Sequence, residues 1–342
     1  MKILVTGGTG FIGAHTVVEL QQYGYETIII DNFSNSSPEV LDSIEKITGK
    51  KPDFEKVEMC DTSQLDGFFR RNRDIDGVIH FAAFKAVGES EKFPLKYYHN
   101  NVCSLINLLK SMQDYKINNL VFSSSCTVYG QPDILPVDEN SPVRPAVSAY
   151  GETKQIAEKI ITEQVRTTSQ RSIILRYFNP IGAHESALIG ELPVGVPNNL
   201  APFITQTAIG KRECLNVWGN DYDTPDGTCI RDYIYVGDIA KAHVLALDRL
   251  LGRKTETDHE IFNLGTGRGN SVLEVIHSFE RVSGQKLNYR FAPRRQGDIV
   301  KIWSDCTRAN KILGWKAEKN LDEMMLSAWN WEKHLAENIK NT

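Results

Sequence analysis

Residues 5–13 read VTGGTGFIG, which places Gly7, Gly10 and Gly13 three residues apart. An apolar run, KILVT, comes directly before them, and a helical pattern over residues 11–23 comes directly after. Strand, glycine turn and helix in that order open a βαβ unit. The turn lets backbone approach a pyrophosphate, which then sits at the helix N-terminus. A bare glycine triplet is a weak signal, and the flanking strand and helix supply the context that the motif needs. The second apolar run, ETIIID, ends in Asp31, 18 residues beyond Gly13. A carboxylate there accepts hydrogen bonds from an adenosine ribose and repels a 2′-phosphate, which favours NAD over NADP. The plain alternative is a glycine turn and a solvated strand-end aspartate.

Three further runs, GVIHFAA, NLVFSSS and SIILRYF, read as buried parallel strands. Helical patterns lie between the runs, around 63–72, 94–114 and 150–168. This alternation predicts an α/β fold, a Rossmann-like doubly wound parallel sheet with helices on both faces. After Phe178 the chain turns rich in Gly and Pro, and shorter elements follow, closing on a helix near 321–337. The expected organisation is an NAD-binding domain over 1–179 and a smaller α+β substrate-binding lobe over 180–342. Some segments of the second part are expected to return to the first.

The composition excludes several classes. The 342 residues are 41% hydrophobic and 24% charged, as in ordinary soluble domains. A net charge of -4 leaves no basic surplus for nucleic acid or anionic lipid. The six cysteines form no C-x-x-C pair, so neither a disulfide framework nor a metal site is expected, and free thiols fit a reducing cytoplasm. No signal peptide and no membrane-spanning run is expected.

NLVFSSS ends at Ser125, and SAYGETK over 148–154 places Tyr150 and Lys154 one helical turn apart. That pair alone is an ordinary helix surface. In an open parallel sheet, however, ligands gather at the carboxyl ends of strands, so Ser125 should face the cofactor crevice with the Tyr150 helix beside it. A free phenol titrates near pH ~10, and a nearby ammonium together with a cationic nicotinamide ring would favour its phenolate. Tyr150 is then the candidate general base on a substrate hydroxyl, with Ser125 holding the same oxygen and Lys154 anchoring the nicotinamide ribose. His15 and His80 read as packed histidines.

The strings GGTGFIGAHT, HFAAFKAVGES, FSSSCTVYG, AYGETK, LRYFNPIGAH, PNNLAPFI, RDYIYVGD and FAPRRQGD span nearly the whole chain. They resemble the extended short-chain dehydrogenase/reductase family, and within it the UDP-glucose 4-epimerase branch. Related dehydratases carry an Asp-Glu pair just after the serine strand, where this chain has Cys126-Thr127. The resemblance implies hydride transfer from sugar C4 to tightly held NAD, rotation of a 4-keto sugar, and return of the hydride to the opposite face. It implies a role in galactose metabolism and a homodimer built on the helices near 94–114 and 150–168. By position, Gly7, Gly10, Phe11, Ile12, Gly13, Asp31, Asn32, Asn35, Asp61, Thr62, Phe81, Ala82, Lys85, Asn100, Tyr150, Lys154 and Phe178 would line NAD. Ser125, Tyr150, Asn179, Asn199, Leu200, Trp218, Arg231, Tyr233, Arg295 and Asp298 would line a UDP-sugar. Arg231 and Arg295 suit a diphosphate, because guanidinium forks bind it in pairs of hydrogen bonds.

Ile302 falls where that branch limits the room around sugar C2. A Tyr there goes with glucose and galactose only, and a small residue goes with acceptance of N-acetyl sugars. Ile is intermediate in volume, so UDP-glucose and UDP-galactose are expected as the main pair. The alternatives are a 4-epimerase for another UDP-sugar, a net oxidoreductase or dehydratase on the same fold, and a non-catalytic NAD-binding regulator. The last has no use for Ser125, Tyr150 and Lys154 together.

Overall fold

The computed structural model describes residues 1–295 and 297–340, with side chains of the last helix through Glu337. Strand β1 (Lys2–Thr6) enters the glycine turn, followed by α1 (Phe11–Gln22) and β2 (Glu26–Asp31). Next come α2 (Glu39–Thr48), β3 (Asp53–Lys56), α3 (Thr62–Arg71) and β4 (Ile75–His80). The expected helix at 94–114 is segmented. After α4 (Val87–Lys92), α5 (Pro94–Tyr98) passes through a π-turn at His99–Cys103 into α6 (Ser104–Asp114). The first half closes with β5 (Asn119–Ser125), α7 (Ala149–Thr167) and β6 (Arg171–Tyr177). Beyond it lie β7 (Asn179–Ile181), α8 (Leu200–Ala208), β8 (Leu215–Trp218), β9 (Ile230–Arg231) and β10 (Tyr233–Tyr235). The chain continues through α9 (Val236–Leu251), β11 (His259–Leu264), β12 (Asn270–Ser271), α10 (Val272–Ser283), β13 (Tyr289–Ala292), β14 (Lys301–Ile302) and α11 (Leu321–Lys340).

The main sheet has seven strands in the order β3-β2-β1-β4-β5-β6-β11, all parallel. Successive residues of a strand face opposite sides, and the sheet uses both. Ile3 and Val5 join Val17 of α1 and Leu247 of α9 on one face, while Leu4 joins Leu65, Leu108 and Ile161 of α3, α6 and α7 on the other. Burial on both faces is why the central strands read as unbroken apolar runs. A separate core around Ile204, Val217, Phe279 and Met325 holds the later elements together.

Strand order reverses between β1 and β4, which opens the crevice where such sheets bind ligands. After the second core has begun, the chain comes back. Helix α9 packs on α1, and β11 pairs with β6 along the full length His259–Leu264. Edge strand β3, DFEK, has no fully buried residue and therefore no apolar run to announce it.

Candidate active site

The glycine turn is shaped by contacts that only hydrogen tolerates. Gly7 has φ +67, and a Cβ there would lie 2.8 Å from the amide nitrogen of Ala82. A Cβ on Gly13 would lie 2.3 Å from the carbonyl oxygen of Gly7. At Gly10 it would meet only the Gly7 oxygen, at 3.2 Å, so the outer side of the turn is open. Among the described residues no side chain caps α1 at Gly10, and no carboxylate stands in its first turn. The N–H groups of Phe11 and Ile12, ahead of the first helical bond from Ala14 N to the Gly10 carbonyl, are therefore free for an anion. Asp31 is held at the tip of β2 by Thr9 N, Phe33 N and Ser36 Oγ at 3.3, 2.9 and 3.1 Å. Open donors beside an anchored carboxylate fit a dinucleotide.

The other expected cofactor residues surround this turn. Phe81 and Ala82 follow β4 and press on Gly7. Asn32 donates to Glu58 at 2.8 Å, while Asn35 stands exposed in the same loop. Asp61 caps α3 just ahead of Thr62, accepting from Ser63 N at 2.9 Å and Gln64 N at 3.2 Å. The Cys60 thiol beside it lies 3.9 Å from the Asn100 carbonyl. The Lys85 ammonium lies 5.7 Å from the Phe11 ring centre.

Three consecutive serines end β5, all buried, and each has a different partner. The Ser123 hydroxyl meets Tyr177 OH, Ser124 Oγ donates to Glu158, and Ser125 Oγ accepts Thr127 N at 3.2 Å. Tyr150 and Lys154 occupy the first turns of α7, whose N-terminus Ser148 caps by accepting Gly151 N at 3.1 Å. Both side chains are buried, 9% and 6% exposed.

The electrostatics of this cluster differ from the sequence expectation. Lys154 Nζ donates to the Ser123 carbonyl at 2.7 Å and lies 6.0 Å from the centre of the Tyr150 ring. Burial pushes the Tyr150 phenol well above its ordinary range, Tyr177 adds to this, and the hydrogen bond from Ser125 works against it. Burial also lowers Lys154 to about 8, against the pull of Glu158. In the protein by itself desolvation therefore outweighs the ammonium, and the phenol is held protonated rather than acidified.

Residues expected at the sugar nucleotide fall into two groups. In the inner one, Arg231 on β9 is in register with Ile302 on β14, and Arg231 Nη1 donates to the Ile230 carbonyl at 2.9 Å. Ile302 is 1% exposed and packs with Cys126, Tyr129 and Phe178, so it backs onto the residue that follows Ser125. Tyr233, pushed up to about 12 by burial, pairs with Asn179 between β10 and β7. The outer group forms a rim: Arg295 pairs with Asp298 at 3.2 Å and lies 5.9 Å from the half-exposed Trp218 ring. Asn199 and Leu200 start α8.

Sequence reading missed three residues that hold these groups in place. One oxygen of Glu191 accepts from Lys85 at 2.9 Å and from Asn199 at 2.5 Å, tying an expected cofactor residue to an expected sugar residue. Asp232 is fully buried and accepts from Thr266 N and Oγ1, Gly267 N, and Ser304 N and Oγ at 2.6–3.2 Å. It binds the strand pair carrying Arg231 and Tyr233 to the segment after Ile302. Glu158 takes both Ser124 and Arg176. A lone Glu in a Gly/Pro-rich loop and an Asp between Arg and Tyr carry no spacing signal. Lys154 and Glu158 do stand one turn apart, a spacing that could have pointed to Glu158.

The sequence profile of the NAD dependent epimerase/dehydratase family matches residues 3–265. The chain is 49% identical to the UDP-glucose 4-epimerase of Bacillus subtilis (strain 168) over 333 residues, 97% of either chain. It is 48% identical to that of Dictyostelium discoideum over 332 residues, 97% of this chain and 95% of the relative. The crystal structure of UDP-glucose 4-epimerase from Bifidobacterium longum in complex with NAD+ and UDP superposes with a TM-score of 0.94 at 45% identity, covering 98% of each chain. With that coverage, and with the glycine turn, the seven-stranded parallel sheet and the buried Ser-Tyr-Lys cluster in place, the chain belongs to the NAD dependent epimerase/dehydratase family.

Proposed function

We propose that this protein is an NAD-dependent 4-epimerase that interconverts UDP-glucose and UDP-galactose. The observation that carries the reading is the buried cluster of Ser125, Tyr150 and Lys154 at the carboxyl edge of the sheet. The relatives support it, since they are UDP-glucose 4-epimerases over nearly their whole length. The thiol of Cys126 and the hydroxyl of Thr127 after Ser125, where a dehydratase needs a carboxyl pair, support epimerisation over water loss.

Bound NAD would supply a hydride acceptor, and then donor, for sugar C4. The chain supplies the rest. Tyr150 removes the proton of the 4-hydroxyl and later restores it. Ser125 hydrogen-bonds the same oxygen. Tyr150, protonated in the protein by itself, can act as base only as the phenolate, which Lys154 and the positive nicotinamide ring of bound NAD would together favour. Inversion requires the sugar to present both faces in turn, so the diphosphate must anchor it, and Arg231 and Arg295 suit that task. Trp218 offers a flat face to the uracil, and Ile302 limits the space beside the sugar. The first 179 residues would hold the NAD and residues 180–342 mainly the UDP-sugar. The remaining residues named above would line those two sites.

Incubation with UDP-galactose and no added reductant should yield UDP-glucose with no change in free nicotinamide nucleotide. Accumulation of a keto sugar, or net NADH release, would refute epimerisation. We also propose a homodimer in the cytoplasm, formed through α5–α6 and α7. Leu95 and Ile106 support it, being 81% and 46% exposed along α5–α6. Leu95→Asp with Ile106→Asp should then halve the mass seen by sedimentation equilibrium; an unchanged mass would place the interface elsewhere.

A further inference from the structure

Behind the catalytic lysine lies a buried ion pair that the proposed reaction does not use. Glu158 is on α7, one turn beyond Lys154, and Arg176 is on β6. Arg176 Nε and Nη2 donate to the two oxygens of Glu158 at 3.0 and 2.6 Å. The same Glu158 oxygen that meets Nε accepts Ser124 Oγ at 2.5 Å. Arg176 Nη1 donates to Tyr129 OH at 3.1 Å, and Tyr129 OH donates to Asn263 of β11 at 2.6 Å. The two charged side chains are only 5% and 10% exposed. A buried pair of this kind brings little net stability, because desolvation offsets the attraction, so its position is the more informative property.

That position is between the two arms of the catalytic cluster. On one side the carboxylate holds Ser124, whose neighbour Ser123 accepts from Lys154 and whose neighbour Ser125 hydrogen-bonds the Tyr150 oxygen. On the other it stands one helical turn from Lys154 itself. We propose that Glu158, fixed by Arg176, is a positioning residue: its carboxylate sets the end of β5 against α7 and supplies the negative charge that keeps Lys154 an ammonium. The proposal rests on the role given to Lys154 in the proposed function.

The groups facing Lys154 leave this task to Glu158. Lys154 has one carbonyl, Ser123 O, and the rings of Phe122 and Tyr150 around it. His80 on β4 is buried and lowered to about 3, so it is neutral. Tyr177 on β6 is pushed up to about 12 and stays a neutral phenol bound to Ser123. Glu158 itself faces Arg176 and, from β11, His259, whose imidazole burial lowers, while Tyr129 lies against Arg176. Burial drives Lys154 toward its neutral form, and Glu158 is the group that opposes this.

The test is the titration of Lys154 in holoenzyme carrying 13C-ε lysine, followed by NMR, beside the pH profile of kcat. Glu158→Gln should lower the Lys154 midpoint by about one pH unit and move the alkaline limb of kcat by the same amount. Glu158→Asp, which keeps the charge, should restore the midpoint. Ser124→Ala should leave the midpoint in place and lower kcat with little change in KM. An identical midpoint in wild type and Glu158→Gln overturns the proposal. Where Glu158→Gln alone does not fold, the double variant Glu158→Gln/Arg176→Gln is compared with Arg176→Gln, from which it differs only at the carboxylate, and the same shift is required. The titration does not depend on turnover. A shifted lysine in a protein that leaves UDP-galactose unchanged would thus refute the proposed reaction and keep the positioning role.

Discussion

Ile302, proposed above as a limit on sugar size, would act without any charge. It is buried against Cys126 and Phe178, so a larger residue must push into the space beyond Ser125. Ile302→Tyr should lower turnover of UDP-N-acetylglucosamine relative to UDP-glucose; an equal ratio before and after would end its role as a size limit. Tyr150→Phe removes the proton carrier while keeping the ring, and turnover should fall by about 10²–10⁴-fold with NAD retained. Near-normal turnover would reject the base assignment. Residues such as Tyr150, Lys154 and Ser125 were legible because type, spacing and strand end all point one way. Asp232 and Glu191 were not, because their partners lie far along the chain: Ser304 for Asp232, Lys85 for Glu191. The charge state of Tyr150 was also illegible, since burial decides it and burial is a property of the folded chain.

At the scale of elements, the glycine turn is the most exacting join. Gly13→Ala would drive a methyl into the Gly7 carbonyl and move α1 away from β1. Loss of bound NAD, read by absorbance after gel filtration, should accompany a lower melting temperature, and retention of both would show the turn to be adaptable. The start of α10 offers a contrast. Ser271 and Glu274 form a reciprocal capping box, so Ser271→Ala should cost about 1 kcal/mol in urea unfolding and leave bound NAD in place. Central strands were legible because burial on both faces makes them continuous apolar runs. Strand β3 lies at an edge with no buried run, and β11 opens on His-Glu and mixes polar with apolar residues, so neither stood out. The π-turn inside 94–114 keeps the helical period on both sides and cannot be seen in the sequence.

Over the whole molecule, three fully buried imidazoles weigh on the response to acid. His15 and His80 are lowered to about 3 and His243 to about 4, in each case chiefly by burial, from an unfolded value of 6.5. Above about pH 6.5 both states hold them neutral, and they contribute no pH dependence. Below that, the unfolded chain takes up protons that the folded chain refuses. Stability then falls by up to about 1.4 kcal/mol per pH unit for each. Buried Asp232 and Asp238, raised by burial, titrate in the opposite sense and offset part of this. Urea midpoints should therefore fall between pH 6.5 and 5, and His243→Gln should make that fall shallower; an unchanged slope would mean that His243 charges without unfolding.

The return of β11 to the first sheet bears on where this protein can be cut. A chain ending at residue 179 would lack the strand that covers β6 and the helix that covers α1. Its open edge and bare apolar face would favour aggregation. A companion chain from residue 180 would carry that strand and helix with no sheet to receive them. Expressed together, the two halves should complement each other into one working enzyme, because each holds the surface that the other buries. Expressed apart, neither should stay in solution as a monomer. A gene cut after residue 179 should therefore work only where both products meet, because neither half carries a whole fold.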